Sequence, residues 1–171
     1  DARRGGRSNA SGDLIPLEEQ DRSLWNQAQI REGSELVIQS LQSGPPGVYT
    51  LQAAIAAVHA EAPQAADTDW AEITGLYDVL LQINPSPIVE LNRAVAVAMR
   101  DGPEAGLRAI DKLVDHKSLK HYHLLHAARA DLFRRLNQSP EAILAYQQAL
   151  DLVQQEPERH FLQQRLAALQ K

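Results

Sequence analysis

NRAVAVAMRDGPEAGLRAIDKL (residues 92–113) and ARADLFRRLNQSPEAILAYQQAL (residues 128–150) are two versions of one outline. Each runs from Arg-Ala through an apolar stretch and a polar break to Pro-Glu-Ala, then into a second apolar stretch. Pro103-Glu104-Ala105 and Pro140-Glu141-Ala142 lie 37 positions apart, and Arg93-Ala94 and Arg129-Ala130 lie 36 apart. A period of this length, with two helical runs in each unit, predicts stacked helical hairpins and an all-α fold. Stacks of this kind make surfaces more often than reaction centres, so binding is expected and an enzyme is not.

Working outward, the rest of the chain reads as further helices. Asp21 is placed to cap a helix over about 22–42, with Trp25, Ala28, Ile30, Leu36, Val37, Ile38 and Leu41 as its apolar side. Gly44-Pro45-Pro46-Gly47 stops it. An alanine-rich helix follows over 48–62, its small residues suited to close helix approach. Asp69 with Glu72 forms a capping box for a helix carrying Trp70, Ile73, Leu76, Tyr77 and Leu80. Ser86-Pro87 opens a helix to about Arg100 with Val89, Leu91, Ala94, Val95 and Ala98 on its core face. Helices are then expected over 103–114, over 120–136 with Leu124, Leu125, Ala128, Leu132 and Phe133 inward, and, with Ser139-Pro140 as cap, to about Gln155. A last helix spans 157–169. No segment alternates as a half-buried strand does, and the count is eight helices.

Ala142, Tyr146 and Ala149 sit at i, i+4 and i+7 on one helical face, small residues flanking an aromatic. This resembles the second helix of a tetratricopeptide repeat, with Ala130 and Phe133 in the first-helix small and aromatic positions. His126 and Arg129 stand at the bulky anchors. The middle unit aligns Ala105, Ala109 and Lys112 to the second-helix positions, and the first unit Ile73, Tyr77 and Leu80. The architecture expected is a tetratricopeptide-like superhelix of antiparallel pairs at about 48–83, 87–114 and 120–155, with an extra N-terminal helix and a capping helix at 157–170. Residues 1–13 read as a flexible segment and 14–171 as one helical-repeat domain.

Composition narrows the function. The 171 residues carry 17 Lys and Arg against 22 Asp and Glu, a formal charge of −5 that suits a nucleic-acid binder poorly. Without cysteine there is neither a disulfide nor a thiolate metal site, which fits a reducing compartment. No apolar run approaches the roughly 20 residues that cross a bilayer and no signal peptide is visible, so a soluble cytoplasmic protein is expected. The opening Asp-Ala-Arg-Arg reads as the start of a fragment of a longer polypeptide.

His121, His123 and His126 do not converge as zinc requires, and read as two exposed histidines and one packed at an anchor position. The carboxylates of Glu90, Glu104, Asp131 and Glu141 do not pair for acid–base work, and no catalytic residue, metal or cofactor is expected. Arg93 and Arg129 recur at one place in their repeats, where they could take a carboxylate or a peptide backbone by bidentate bonds. Equally, each stem could cover a helix junction while its head pairs with a neighbouring acid. Gln52, Asn92, Arg93 and Arg129 are the residues expected to touch a partner.

Four stretches carry a family likeness: 17–25 (Leu-Glu-Glu-Gln-Asp-Arg-Ser-Leu-Trp), 49–60 (from Tyr49-Thr50-Leu51-Gln52 to His59-Ala60), 85–96 (from Pro85-Ser86-Pro87 to Asn92-Arg93-Ala94-Val95-Ala96) and 122–131 (from Tyr122-His123-Leu124-Leu125-His126 to Asp131). In this order they resemble the carboxy-terminal, tetratricopeptide-like extension of a group of bacterial RNA polymerase sigma factors of the extracytoplasmic-function type. The likeness covers nearly the whole chain. It implies a regulatory, protein-interacting part that modulates transcription initiation, with the N-terminal sigma domains or the polymerase core as partner. Promoter DNA would be bound only through sigma domains absent from this sequence, and no membrane is implied. The alternative is a stand-alone scaffold for a peptide or a small molecule.

Overall fold

Helix starts and stops follow the capping chemistry of the chain. The computed structural model describes residues 2–9 and 12–170. It contains α1 (Gln27–Gln42), α2 (Val48–Glu61), α3 (Trp70–Ile83), α4 (Pro87–Asp101), α5 (Pro103–Ile110), α6 (His123–Arg135), α7 (Ser139–Leu152) and α8 (Glu156–Leu169). Among the described residues there is no strand, only an isolated bridge between Ser8 and Leu14. The helices pack as consecutive neighbours, α1 through α3 and α4 through α8, so the all-α, paired-helix architecture is the one expected. No helix among the described residues is long and apolar enough to cross a membrane. Where the sequence reading drew one domain over 14–171, the contacts divide the chain into two compact units, 1–85 and 86–171.

In the first unit, Asp21 does cap, accepting from the Ser23 amide at 2.9 Å. The helix it opens is a single 3-10 turn, Arg22–Leu24. Asn26 then starts afresh, accepting from the Gln29 amide at 3.1 Å to open α1. The interruption buries Trp25, which is 3% exposed, behind Gly6, where a Cβ would lie 2.9 Å from the indole nitrogen. The described part of the segment expected to be flexible is thus draped on this tryptophan. The Asn26 amide donates to the Ala2 carbonyl at 2.8 Å, and that of Ile15 to Arg7 at 2.9 Å. Residues 1, 10 and 11 lie outside the described residues. Asp69 caps α3 through the Glu72 amide at 2.8 Å, as its spacing predicts.

The apolar side of α1 corrects the sequence reading. Ile30 is buried, but Leu36, Ile38 and Leu41 are exposed and Ala28 is as well. The helix that packs along α1 is α2, and one neighbour can cover one narrow stripe of a helix, not a wide arc.

In the second unit, Gly102 at φ +97° both ends α4 and begins α5. Its αL-side backbone admits a one-residue link that a side chain would strain. Gly106 then allows α5 to touch α4: a Cβ there would collide with the Ala98 methyl group. After α6 the chain turns on Asn137 at φ +58°. The Gln138 amide donates to Phe133 at 2.9 Å and that of Asn137 to Arg134 at 3.0 Å, the paired bonds of a Schellman termination. Ser139 lies inside α7 rather than capping it, and the helix begins one position earlier than expected, with Gln138 at the cap. The expected helix over 103–114 ends at Ile110 and continues as a 3-10 turn, Asp111–Leu113.

Two contiguous cores fill this unit. One joins Leu91, Ala94, Ala98, Leu107, Ile110 and Leu125, and the other joins Ala130, Ala142, Tyr146, Ala149, Val153 and Leu162. Phe133 packs on both. They also reset the repeat register. In α7 Ala142, Tyr146 and Ala149 are among the buried residues, as read from sequence; the buried residues at the matching positions of α5 and the turn after it are Gly106, Ile110 and Leu113. The Ala105, Ala109, Lys112 alignment is therefore one residue early, and Lys112 is exposed. A spacing of 36 holds through the buried positions, pairing Ala94 with Ala130 and Ile110 with Tyr146.

Candidate interaction surface

The first helices of the two repeats in the second unit, α4 and α6, lie in contact. Arg135 donates from Nη1 to the Met99 sulfur at 3.3 Å, and these residues are 36 apart, like every equivalent pair in the core. Equivalent residues of α4 and α6 therefore lie side by side at this end. Ile88, Asn92, Val95 and Met99 follow i, i+4, i+7 and i+11 along α4, one stripe of a 3.6-residue helix. Ile88, Asn92 and Val95 are exposed. On α6 the equivalents are Leu124, exposed, and Ala128, Asp131 and Arg135. Ile88 and Leu124, at 47% and 43% exposure, stand at equivalent positions near the starts of α4 and α6; Asp131, Arg134 and Arg135 follow toward the end of α6.

Sequence reasoning missed this stripe because it assigned Val95 and Leu124 to the core. The Ile88–Leu124 equivalence was available at the 36-residue offset. Of the four expected contact residues, Asn92 stands on the stripe. Arg93, next to it and half-buried, is engaged with neighbours of its own. Arg129 takes the structural option: its Nε donates to Asp111 at 2.9 Å and its guanidinium lies 5.0 Å from the Phe133 ring. That arrangement ties α6 to the end of α5. Gln52 is exposed on α2 and belongs to the first unit.

The histidines are distributed as packing residues. His126 is buried and its Nε2 lies 3.0 Å from the Lys120 carbonyl; a carbonyl only accepts, so Nε2 carries the proton. His123 is not exposed as expected: its Nε2 comes within 2.9 Å of the Glu158 carboxylate, at an angle outside that of a hydrogen bond. This contact joins the start of α6 to α8. His121 is exposed. Among the described residues no group of three His, Asp or Glu side chains could hold a metal ion.

Residues 1–41 match the model of a family of unknown function, DUF6596. That stretch takes in Trp25 and all of α1 but its last residue. The chain is also 39% identical over 160 residues, 94% of its length, to an uncharacterized protein of Rhizobium meliloti (strain 1021). It spans 37% of that relative's length.

The first unit holds a polar centre that the sequence did not announce. Arg22 is buried, and its Nη1 donates to the His59 and Ala62 carbonyls at 2.8 Å each. Its Nη2 reaches the Thr68 hydroxyl at 3.3 Å, and the guanidinium stacks 4.9 Å from the Trp25 ring. A cation on the last carbonyls of α2 satisfies acceptors the helix itself leaves open and opposes the helix dipole. Burial lowers the Arg22 pKa, the nearby Arg3 adds to this, and Asp67 acts the other way. His59, edge-on to Trp70 with ring centroids 5.1 Å apart, has its pKa lowered to about 4 by burial first, then by Arg3 and Arg22.

Proposed function

We propose that the chain is the regulatory, C-terminal helical-repeat part of a bacterial RNA polymerase sigma factor of the extracytoplasmic-function type. It acts in the cytoplasm by contact with the sigma domains of the same polypeptide or with the polymerase core, and has no catalytic role. The observation that carries the reading is the stripe of Ile88, Asn92, Val95 and Leu124, exposed at equivalent positions of neighbouring repeats. Unpaired apolar side chains set beside polar ones on adjoining helices suit a protein partner better than a small polar metabolite. The resemblance of the four sequence stretches names that partner. The length of the Rhizobium relative beyond the matched 37% leaves room for the domains that would bind promoter and polymerase.

The test is a promoter-reporter assay with the full-length protein. Truncation before Asp21, and separately the double variant Ile88→Arg with Leu124→Arg, should change promoter-driven output by at least about fivefold, the loss of roughly 1 kcal/mol of coupling. Unchanged output from both overturns the proposal. A pull-down that recovers a peptide ligand unrelated to polymerase favours the stand-alone scaffold instead.

A further inference from the structure

Helix α2 is without charge on every side until its last residue. From Val48 to Ala60 it contains no Asp, Glu, Lys or Arg, and Glu61 is its last residue. A helix of that composition is ordinarily buried all round. Here Leu51, Ala54 and Ile55 are buried against α1 and α3, while Tyr49, Gln52, Ala53 and Ala56 are exposed. These four fall at i, i+3, i+4 and i+7, so they form one continuous face opposite the core. Tyr49 is 86% exposed.

The neighbouring helix extends the face. The Ser40 and Thr50 hydroxyls meet at 2.9 Å, which fixes the register of the α1–α2 hairpin. One turn back along α1 from Ser40 is Leu36, 59% exposed, and one turn forward along α2 from Thr50 is Ala53, exposed as well. In an antiparallel hairpin these belong to one side. Glu32 stands one further turn before Leu36, and Glu61 closes α2. Both are exposed, and they bound the apolar surface at the same end of the hairpin.

Charge selects the occupant. Residues 32–85 contain seven carboxylates and not one Lys or Arg. The first unit as a whole has five arginines against twelve carboxylates, whereas the second has twelve basic residues against ten acidic. An anionic membrane surface or a nucleic acid would be repelled by such a rim. A second copy of the chain docking the same face on itself would bring like charges together. A segment that presents leucine-like side chains on one side and Lys or Arg on the other satisfies both the apolar centre and the acidic edge. The alanines at 53 and 56 leave space for a helix backbone to come close.

We infer that the α2 face of Tyr49, Gln52, Ala53 and Ala56, with Leu36 of α1, is the docking site for a basic amphipathic helix of a partner protein. The inference stands apart from the sigma-factor reading, since it uses another surface and no family likeness.

The probe is a fluorescein-labelled leucine–lysine peptide of about 18 residues, long enough to form a helix on contact, titrated with the full chain and followed by anisotropy. Binding is expected, weaker as salt is raised. Ala53→Arg should weaken it by at least about tenfold, through bulk and like charge on the peptide. Leu144→Arg, at an exposed site on α7, should leave it unchanged, and both variants should keep the far-UV spectrum of the parent. Tyr49→p-benzoylphenylalanine should photocrosslink to the peptide. The inference is overturned if the peptide does not bind, if Ala53→Arg binds it as well as the parent, or if a leucine–glutamate peptide binds equally. Crosslinking of Tyr49→p-benzoylphenylalanine to a second copy, or binding to anionic vesicles that Ala53→Arg abolishes, overturns it in favour of that occupant.

Discussion

Arg22 and His59 show how one buried cation can organise the residues around it. The guanidinium ends α2 by taking two of its last carbonyls, and it presses on Trp25. His59, whose own carbonyl is one of those two, is thereby held in a site with Arg22 and Arg3 nearby and Trp70 against its ring. Its folded pKa of about 4 lies below the ordinary imidazole value of 6.5. A group whose folded pKa is depressed in this way stays neutral in the fold while the unfolded chain takes up a proton. Its contribution to stability is therefore complete above pH 6.5 and is lost as the pH falls toward 4. The thermal midpoint of the parent should drop more steeply across that window than that of His59→Gln, which keeps the backbone carbonyl but cannot titrate. Parallel curves from pH 7 to pH 4 would refute this account.

At the scale of elements, the fit of α5 against α4 rests on Gly106. The gain in helix propensity of an alanine over glycine is about 1 kcal/mol, and on an open helix Gly106→Ala would stabilise. Here the new methyl group would meet the Ala98 methyl and lie 3.0 Å from the Leu132 side chain. Overpacking of this kind costs about 1–3 kcal/mol, so Gly106→Ala should lower the urea midpoint, whereas Gly75→Ala on α3, where nothing lies within 4 Å, should not. The same glycine explains why the repeat was legible and its register was not. Pro-Glu-Ala marks where a second helix starts, and the motif was visible at 103–105 and 140–142. Which residues face inward is decided by where two helices cross, and the crossing at Gly106 and Ala98 leaves no trace in periodicity. Helix caps were readable for the same reason that starts were: Asp21 and Asp69 act through local bonds. The restart at Asn26 was not, because Ser23-Leu24-Trp25 continues a helical pattern until Trp25 is drawn under Gly6. Leu36, Ile38 and Leu41 read as core since apolar spacing reports what a helix could bury, not how many neighbours it has. The fixing of Arg129 by Asp111 needed the turn that follows α5, which sequence spacing placed inside a helix.

For the molecule as a whole, the question is what closes the stack of helices in the second unit. A stack built from repeats buries each helix with the next, and its last pair needs a cover with a polar outer side. α8 has that form. Leu162 is buried in the core with Ala130, Tyr146 and Ala149, and Phe161, Leu166 and Leu169 pack around it. Its exposed residues are Glu156, Pro157, His160, Gln163, Gln164, Ala167 and Ala168. Arg159 secures the entry to the helix, donating from Nη2 to the Val153 carbonyl at 2.6 Å and from Nη1 to Leu150 at 3.3 Å. His123 and Glu158 add a side-chain contact to α6. Removing residues 156–171 would return Tyr146 and the alanines of α6 and α7 to water. Uncovering this core removes at least as much packing as truncating one large buried side chain, so the loss should be at least about 3 kcal/mol. Truncation after Gln155 should therefore lower the far-UV melting transition of α4–α7 by ten degrees or so. Both tryptophans, Trp25 and Trp70, lie in the first unit, so tryptophan emission follows that unit while circular dichroism follows all the helices. A truncated chain whose far-UV transition is unmoved would show that α7 closes the stack unaided, and that the contacts of Leu162 and Arg159 serve α8 rather than the core beneath it.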